Sequence, residues 1–155
     1  MPEVRPVTVD NWRDLIDLQV GETQKHFVAP NLFSIAQSQF GFETTELGHW
    51  DLFPRGIYDG DAPVGFLMYA FNFDYSKMQG FIIRLMVDEK YQGKGYGRFG
   101  VQWMLDVFRE DERVKAIGIS YEPENDAARK LYASFGFVET GERMENEVFA
   151  VLKLR

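Results

Sequence analysis

The sequence predicts a single α/β domain over residues 1–155, with a mixed, mostly antiparallel sheet of about seven strands and four helices. Three observations predict it. Apolar runs of strand length alternate with stretches whose apolar residues fall at helical spacing. One such run, Gly80 to Val87, leads through a glycine-rich turn into a helix, as a wound unit requires. Turn signals at Asp59-Gly60-Asp61 and Glu145-Asn146 join neighbouring runs as hairpins, which makes part of the sheet antiparallel.

Glu3 to Thr8 alternates as a short strand, and Pro6 within it suits a sheet edge. Thr8 or Asp10 can cap a helix from Asn11 to Val20 with Trp12, Leu15, Ile16 and Leu18 as its apolar stripe, ended by Gly21. Phe27 to Asn31 reads as a loop. Asn31 then caps a second helix through Gln39, with Leu32, Ile35 and Ala36 inward. Gly41 to Phe53 shows no clear period and reads as a loop or short irregular helix.

Arg55 to Asp59 and Val64 to Asn72 are strands joined by the Asp59-Gly60-Asp61 turn, and Asp74 to Lys77 turns the chain again. Gly80 to Val87 is the strand before the glycines. From Arg98 to Glu110, Val101, Met104, Leu105 and Phe108 are spaced i, i+3, i+4, i+7, a helical core face. Val114 to Tyr121 is a strand. Asn125 caps a last helix with Ala128, Leu131, Tyr132 and Phe135 on one stripe, and Gly136 suits its left-handed end. Phe137 to Gly141 and Glu147 to Leu154 close the chain as two strands.

Composition narrows the chemistry. Hydrophobic residues make up 45% and aromatics 15% of the 155 residues, enough for a packed core. No apolar run reaches membrane-spanning length, and no secretory leader pattern is present, so a cytoplasmic location is expected. The absence of cysteine excludes disulfides, thiolate metal sites and a cysteine nucleophile. With His26 and His49 as the only histidines, no metal site is expected. The net charge of −7 disfavours nucleic acid as a partner and suits a cationic small molecule.

The stretch from Leu85 to Arg98 carries the most chemistry. Glycines at 93, 95 and 97 follow Gln92 and open a helix. Glycine accepts positive φ and lets a ligand approach the backbone closely. A helix start behind such a turn offers free N–H groups and the positive dipole end to an anion. A phosphate or pyrophosphate is the expected ligand.

Gln92-Gly93-Lys94-Gly95-Tyr96-Gly97 resembles the Gln/Arg-x-x-Gly-x-Gly/Ala signature of the GCN5-related N-acetyltransferases (GNAT). Asn125 to Phe137, NDAARKLYASFGF, is similar to a second segment of that family, with Asn125, Ala128, Tyr132, Gly136 and Phe137 in register. Two spaced signatures in one element order are far more specific than a lone glycine motif. Within the family, Tyr91 to Gly95 and Phe149 to Leu154 look most like the bacterial spermine/spermidine acetyltransferases. The resemblance implies a sheet splayed between the fourth and fifth strands and acetyl-coenzyme A as co-substrate, with no metal. It also implies a primary amine as acceptor, attacking the thioester directly in a ternary complex. Homodimers occur among relatives, and the closing strands offer an edge for pairing.

The resemblance also assigns residues. The backbone amides of Gln92, Gly93, Lys94, Gly95, Tyr96, Gly97 and Arg98 would hold the coenzyme pyrophosphate, with Lys94 and Arg98 as added charge. The backbone of Leu85, Met86 and Val87 would pair with the pantetheine arm as an added strand does, and an N–H near Val87 would polarise the thioester carbonyl. Asn125 would bind a pantetheine amide as well as cap its helix. Tyr132 would be the general acid to the departing thiolate.

For the proton leaving the amine, some polyamine acetyltransferases carry a carboxylate at the position of Ile83. Its absence here points to a water-mediated base or a carboxylate from a loop. Period-two alternation sets Ile83 and Arg84 on opposite faces, so Arg84 would pair with a carboxylate or face solvent. Glu22, His26, Glu43, Trp50 and Tyr75 are the candidates for the acceptor groove, alongside Phe27, Glu46, Asp51, Tyr69 and Asp74, since acids with aromatic walls suit an extended cation. Two other readings stand beside the polyamine one. The same fold could acetylate an aminoglycoside, an amino acid, or a protein N-terminus or lysine, or it could bind an acyl-coenzyme A without turnover.

Overall fold

The computed structural model describes Met1–Arg155. Its first strand, β1 (Pro2–Pro6), lies at an edge of the sheet, where Pro6 needs no ladder donor. Helix α1 (Trp12–Ile16) is much shorter than the expected Asn11–Val20. The cause is tertiary: Gln19 N donates to Asp88 Oδ2 at 2.9 Å, and Gln19 O accepts from Glu89 N at 2.9 Å. These bonds hold residues 18–20 against the end of a distant strand instead of in a helix. Neither Thr8 nor Asp10 caps α1. Asn11 is the cap residue, and its Oδ1 accepts from Thr8 N, outside the helix.

A single 3₁₀ segment, Glu22–Phe27, precedes α2 (Asn31–Ser38). Asn31 does not cap α2. It is buried, and its Nδ2 donates to Leu15 O at 2.9 Å, which ties α2 to α1. That bond sets the helix phase, so Asn31 and Ser34 face inward while Leu32, Phe33 and Ala36 are exposed, the reverse of the expectation for Leu32 and Ala36.

Residues 42–53 are two strands joined by a turn at 45–47, not a loop. β2 (Phe42–Thr44) pairs with the start of β3 (Gly48–Asp59) through Phe42↔Trp50. Trp50 and Leu52 are buried while His49 and Asp51 are not, a period-two signal that the charged and histidine residues mask by composition. β1 covers the outer edge of β3 from Arg55 onward and β2 covers it up to Trp50. Pro54 falls in the uncovered gap.

β4 (Ala62–Phe71) is buried from Val64 to Ala70, as a central strand covered on both faces must be. β5 (Gly80–Val87) follows, then α3 (Tyr96–Glu110), β6 (Ala116–Tyr121), α4 (Asp126–Ser134), β7 (Val138–Met144) and β8 (Glu147–Lys153). The order across the sheet is β1-β3-β4-β5-β6-β8-β7, with β2 added on β3. All pairs are antiparallel except β5–β6. Asn125 caps α4 as expected, accepting from Ala128 N at 3.2 Å, and Gly136 ends it with φ of 100°.

The sheet divides two cores. On one face Val101, Met104, Leu105 and Phe108 of α3 and Tyr132 of α4 pack with Leu67, Tyr69, Ile82 and Ile119. On the other, Trp50, Phe66, Met68, Phe81 and Met86 pack under Leu18, Val20, Val28 and Ile35. The parallel pair is the weak point of the ladder. Only Gly80↔Ile117, Phe81↔Gly118 and Ile82↔Ile119 are in register, and beyond Ile82 the two strands part. This is the splay expected between the fourth and fifth strands, which become β5 and β6 because β2 adds a strand ahead of them. No helix is long and apolar enough to cross a membrane.

Candidate active site

The glycine turn begins where β5 ends. Asp88, buried, accepts from Lys90 N and Gln19 N, and its own N–H bonds Val64 O at 2.9 Å. The turn is thus fixed to β4 and to the chain after α1. Gln92 Nε2 donates to Val87 O at 3.0 Å and to Gln24 Oε1 at 2.9 Å. Gly93 and Gly95 have φ of 80° and 87°, and nothing lies within 4 Å of where a Cβ would stand on either. The turn thus has open space beside it and leads into the first amides of α3, which have no helical acceptor. A cavity of about 280 Å³ opens there, lined by Leu85 to Val87, Tyr91 to Gly93, Gly95 to Gly97, Asn125, Leu131 and Tyr132.

Lys94 and Arg98 are the sequence-predicted residues whose side chains stand outside this cavity. The Lys94 ammonium lies 5.7 Å from the Tyr91 ring. The Arg98 guanidinium sits 5.0 Å over Phe135 and donates to Ser134 Oγ at 3.0 Å. The backbone amide of Lys94 remains in the glycine turn and that of Arg98 in the first turn of α3. Tyr96 directs its hydroxyl to Asp59, on which it donates a short hydrogen bond.

A larger cleft of about 890 Å³ occupies the splay. Leu85, Asn125, Ala128, Tyr132, Phe27 and Val28 line both cavities, so the two meet at the end of β5. Tyr132 is 5% exposed. Its ring stacks on Tyr121 at 6.1 Å and meets Phe137 edge-on at 5.6 Å, which holds the side chain still. Burial, with a lesser contribution from Tyr121, raises its pKa well above the ordinary phenol value. The hydroxyl is therefore protonated at neutral pH, the form a proton donor needs.

The β4–β5 register breaks between Met68 and Tyr69: Met68 faces Arg84, and Tyr69 faces Ile82. Ile83 is the extra residue of a β-bulge. The bulge cancels the expected alternation, so Ile83 and Arg84 both line the cleft. Arg84 Nη1 donates to Ile83 O at 2.9 Å and Nη2 reaches Gln37 Oε1 at 3.4 Å, while buried Nε has no partner. Burial lowers its pKa, and the nearby charge of Glu147 opposes that shift.

Of the acceptor candidates, His26 and Trp50 line the cleft, with Phe27 and Glu46. Glu22, Glu43 and Tyr75 do not. Glu22 is exposed and pairs with Lys25 at 2.6 Å. Glu43 pairs with His49 at 3.1 Å, and Asp51 lies 3.3 Å from the same ring. Tyr75 packs 5.9 Å from Trp50, outside the cleft wall. Tyr69 belongs to the opposite core, stacked on Phe53 at 5.3 Å. Asp74 is exposed and also stands outside the cleft.

The structure adds residues that sequence reasoning missed: Ser120 and Glu122 after the splay, and Arg143, Glu145 and Glu147 around the last hairpin turn. The carboxylates flanking the Glu145-Asn146 turn were the available signal. Glu46, Glu122, Glu145 and Glu147 stand against Arg84 and Arg143, leaving an acidic cleft.

Residues 12–137 match the model of the acetyltransferase (GNAT) family. A spermine/spermidine N(1)-acetyltransferase from Bacillus subtilis (strain 168) is 31% identical over 144 residues, covering 90% of this chain and 89% of that protein. The PaiA N-acetyltransferase of Thermoplasma acidophilum, solved in complex with coenzyme A, superposes with a TM-score of 0.71 at 13% identity over 99% of both chains. The GNAT domain of S. lividans PAT superposes with a TM-score of 0.74 at 17% identity, covering 99% of this chain and 90% of that one. At these identities the two structures speak for the fold.

Proposed function

This chain belongs to the acetyltransferase (GNAT) family, and from that membership we propose that it transfers an acetyl group from acetyl-coenzyme A to a primary amine of a polyamine, spermidine or spermine. The reaction is direct attack in a ternary complex, in the cytoplasm. Acetyl-coenzyme A supplies an activated acyl group as a thioester. The amides of residues 92–98 bind its pyrophosphate, where two positive-φ glycines leave room for close approach. The free edge of β5 from Leu85 to Val87 aligns the pantetheine arm, with Asn125 as a side-chain partner, and a backbone N–H near Val87 polarises the carbonyl. Tyr132 stands where the two cavities meet and protonates the thiolate.

The observation that carries the polyamine reading is the excess of glutamate in the cleft that opens beyond Tyr132. His26 and Phe27 in its wall add aromatic faces for an alkylammonium, while Trp50 is buried within the wall. The 31% identity to a spermine/spermidine acetyltransferase agrees with it. The test is an acceptor screen with acetyl-coenzyme A, followed by mass detection of the acetylated product. Turnover of spermidine and spermine is expected. Turnover of an aminoglycoside or amino acid with none of either polyamine would overturn the substrate assignment.

A further inference from the structure

Attack of an amine on a thioester needs a proton acceptor near the nitrogen and a proton donor near the sulfur, on opposite sides of the reacting carbon. Tyr132 comes from the α4 face of the sheet. On the other face, pairing of β5 with β6 stops at Ile82↔Ile119, and the next residue of β6 is Ser120. Ser120 Oγ donates to Glu147 Oε1 at 3.1 Å. The bond engages Oε1 and leaves Oε2 without a protein partner. Glu147 opens β8 and is framed by the pairs Met144↔Glu147 and Tyr121↔Val148, so its backbone is fixed from both sides. Both Ser120 and Glu147 line the cleft with Ile83 and Arg84.

The other cleft carboxylates are placed differently. Glu46 and Glu145 are exposed on its rim, and Glu122 lies 3.8 Å from His26. Glu147 is half-buried. The charged groups facing it are Arg84 from β5, Glu122 after β6, and Arg143 and Glu145 from β7 and its turn.

We propose that Glu147 accepts the proton of the attacking amine at the mouth of the splay, and that Ser120 is the positioning residue that holds its carboxylate. The inference rests on the acetyl-transfer reading, though not on which amine is the acceptor. The nitrogen lone pair forms the C–N bond to the acyl carbon, and the C–S electron pair leaves on sulfur. The N–H proton passes to Glu147, and sulfur takes the proton of Tyr132. Solvent then returns Glu147 and Tyr132 to their starting forms.

The test compares wild type with Glu147→Gln, Glu147→Asp and Ser120→Ala on a panel of amines with acetyl-coenzyme A. Coenzyme A affinity, measured by calorimetry, reports folding and binding. Glu147→Gln should lower kcat about 10²-fold at unchanged coenzyme A affinity. Glu147→Asp, which keeps a carboxylate, should recover part of that loss. Ser120→Ala should lower kcat several-fold with KM for the amine unchanged, because the carboxylate loses the donor that holds it. Glu147→Gln turnover within about two-fold of wild type would overturn the role, since a general base contributes far more. If Glu147→Gln also loses coenzyme affinity, an unchanged kcat in Ser120→Ala overturns it. Should wild type acetylate another amine and no polyamine, the substrate reading fails while the Glu147 comparison proceeds on that amine. A wild type that acetylates nothing in the panel overturns both.

Discussion

Ile83 and Arg84 are consecutive residues of β5, yet both line the same cleft, because the bulge at Ile83 lets Arg84 take the place opposite Met68. A strand without the bulge would have sent Arg84 to the α3 face. The bulge instead sets a cation among the cleft glutamates.

Replacing that cation should sharpen affinity for a polycation. Arg84→Met removes a like charge and a buried Nε without a partner. Steady-state kinetics should show KM for spermidine falling by roughly three- to ten-fold, the size of one screened charge pair across a cleft. A rise in KM would mean that the guanidinium contacts the acceptor, and would favour an acceptor that carries a carboxylate.

Tyr132→Phe removes one oxygen from a packed ring stack and leaves the apolar contacts with Tyr121 and Phe137 in place. The expected result is a kcat lower by about 10²-fold with the dissociation constant of coenzyme A unchanged. Equal losses in kcat and coenzyme affinity would assign the hydroxyl to binding instead.

Gly95→Ala places a Cβ at φ of 87° in open space, so the cost is backbone strain and not a clash. Urea denaturation should register about 1–2 kcal/mol. Gly60→Ala, at φ of 61° in the β3–β4 hairpin and equally open, supplies the control. Both should lose stability, but only Gly95→Ala should weaken coenzyme A binding.

Asp111 accepts from Arg113 through both side chain and backbone, and these bonds lower its carboxyl from 3.8 to about 2. A carboxyl depressed in the folded state binds its proton more readily when unfolded. Its stabilisation is therefore complete above the unfolded value and is lost as pH falls from about 4 to about 2. Urea midpoints measured from pH 2 to 7 should show Asp111→Asn less stable than wild type near neutrality. The difference should vanish toward pH 2 and shrink in high salt, since the pair is exposed.

Much of the fold is legible from local signals. The hairpin at Asp59-Gly60-Asp61, the i, i+3, i+4, i+7 face of α3, the Asn125 cap and the Gly136 terminus each rest on residues within one turn or one ladder step, and all stand as read. The segment from Gln19 to Phe53 was harder, because distant partners decide it. Gln19 leaves α1 for Asp88 and Glu89, and Asn31 turns inward to reach Leu15 O. The strand at Trp50 and Leu52 hides among charged neighbours.

By itself, the sequence determined the glycine turn, the helix that starts behind it and the Asn125–Phe137 segment, because positive φ, helix caps and apolar spacing are properties of neighbouring residues. Those features set the family and the place proposed for the coenzyme. Tertiary structure alone decided the larger cleft. The bulge at Ile83 depends on how β4 and β5 come into register, and Glu147 meets Ser120 only because β8 lies between β6 and β7. Pairing between strands far apart in the chain is fixed by the packing of two whole cores, which no local pattern encodes.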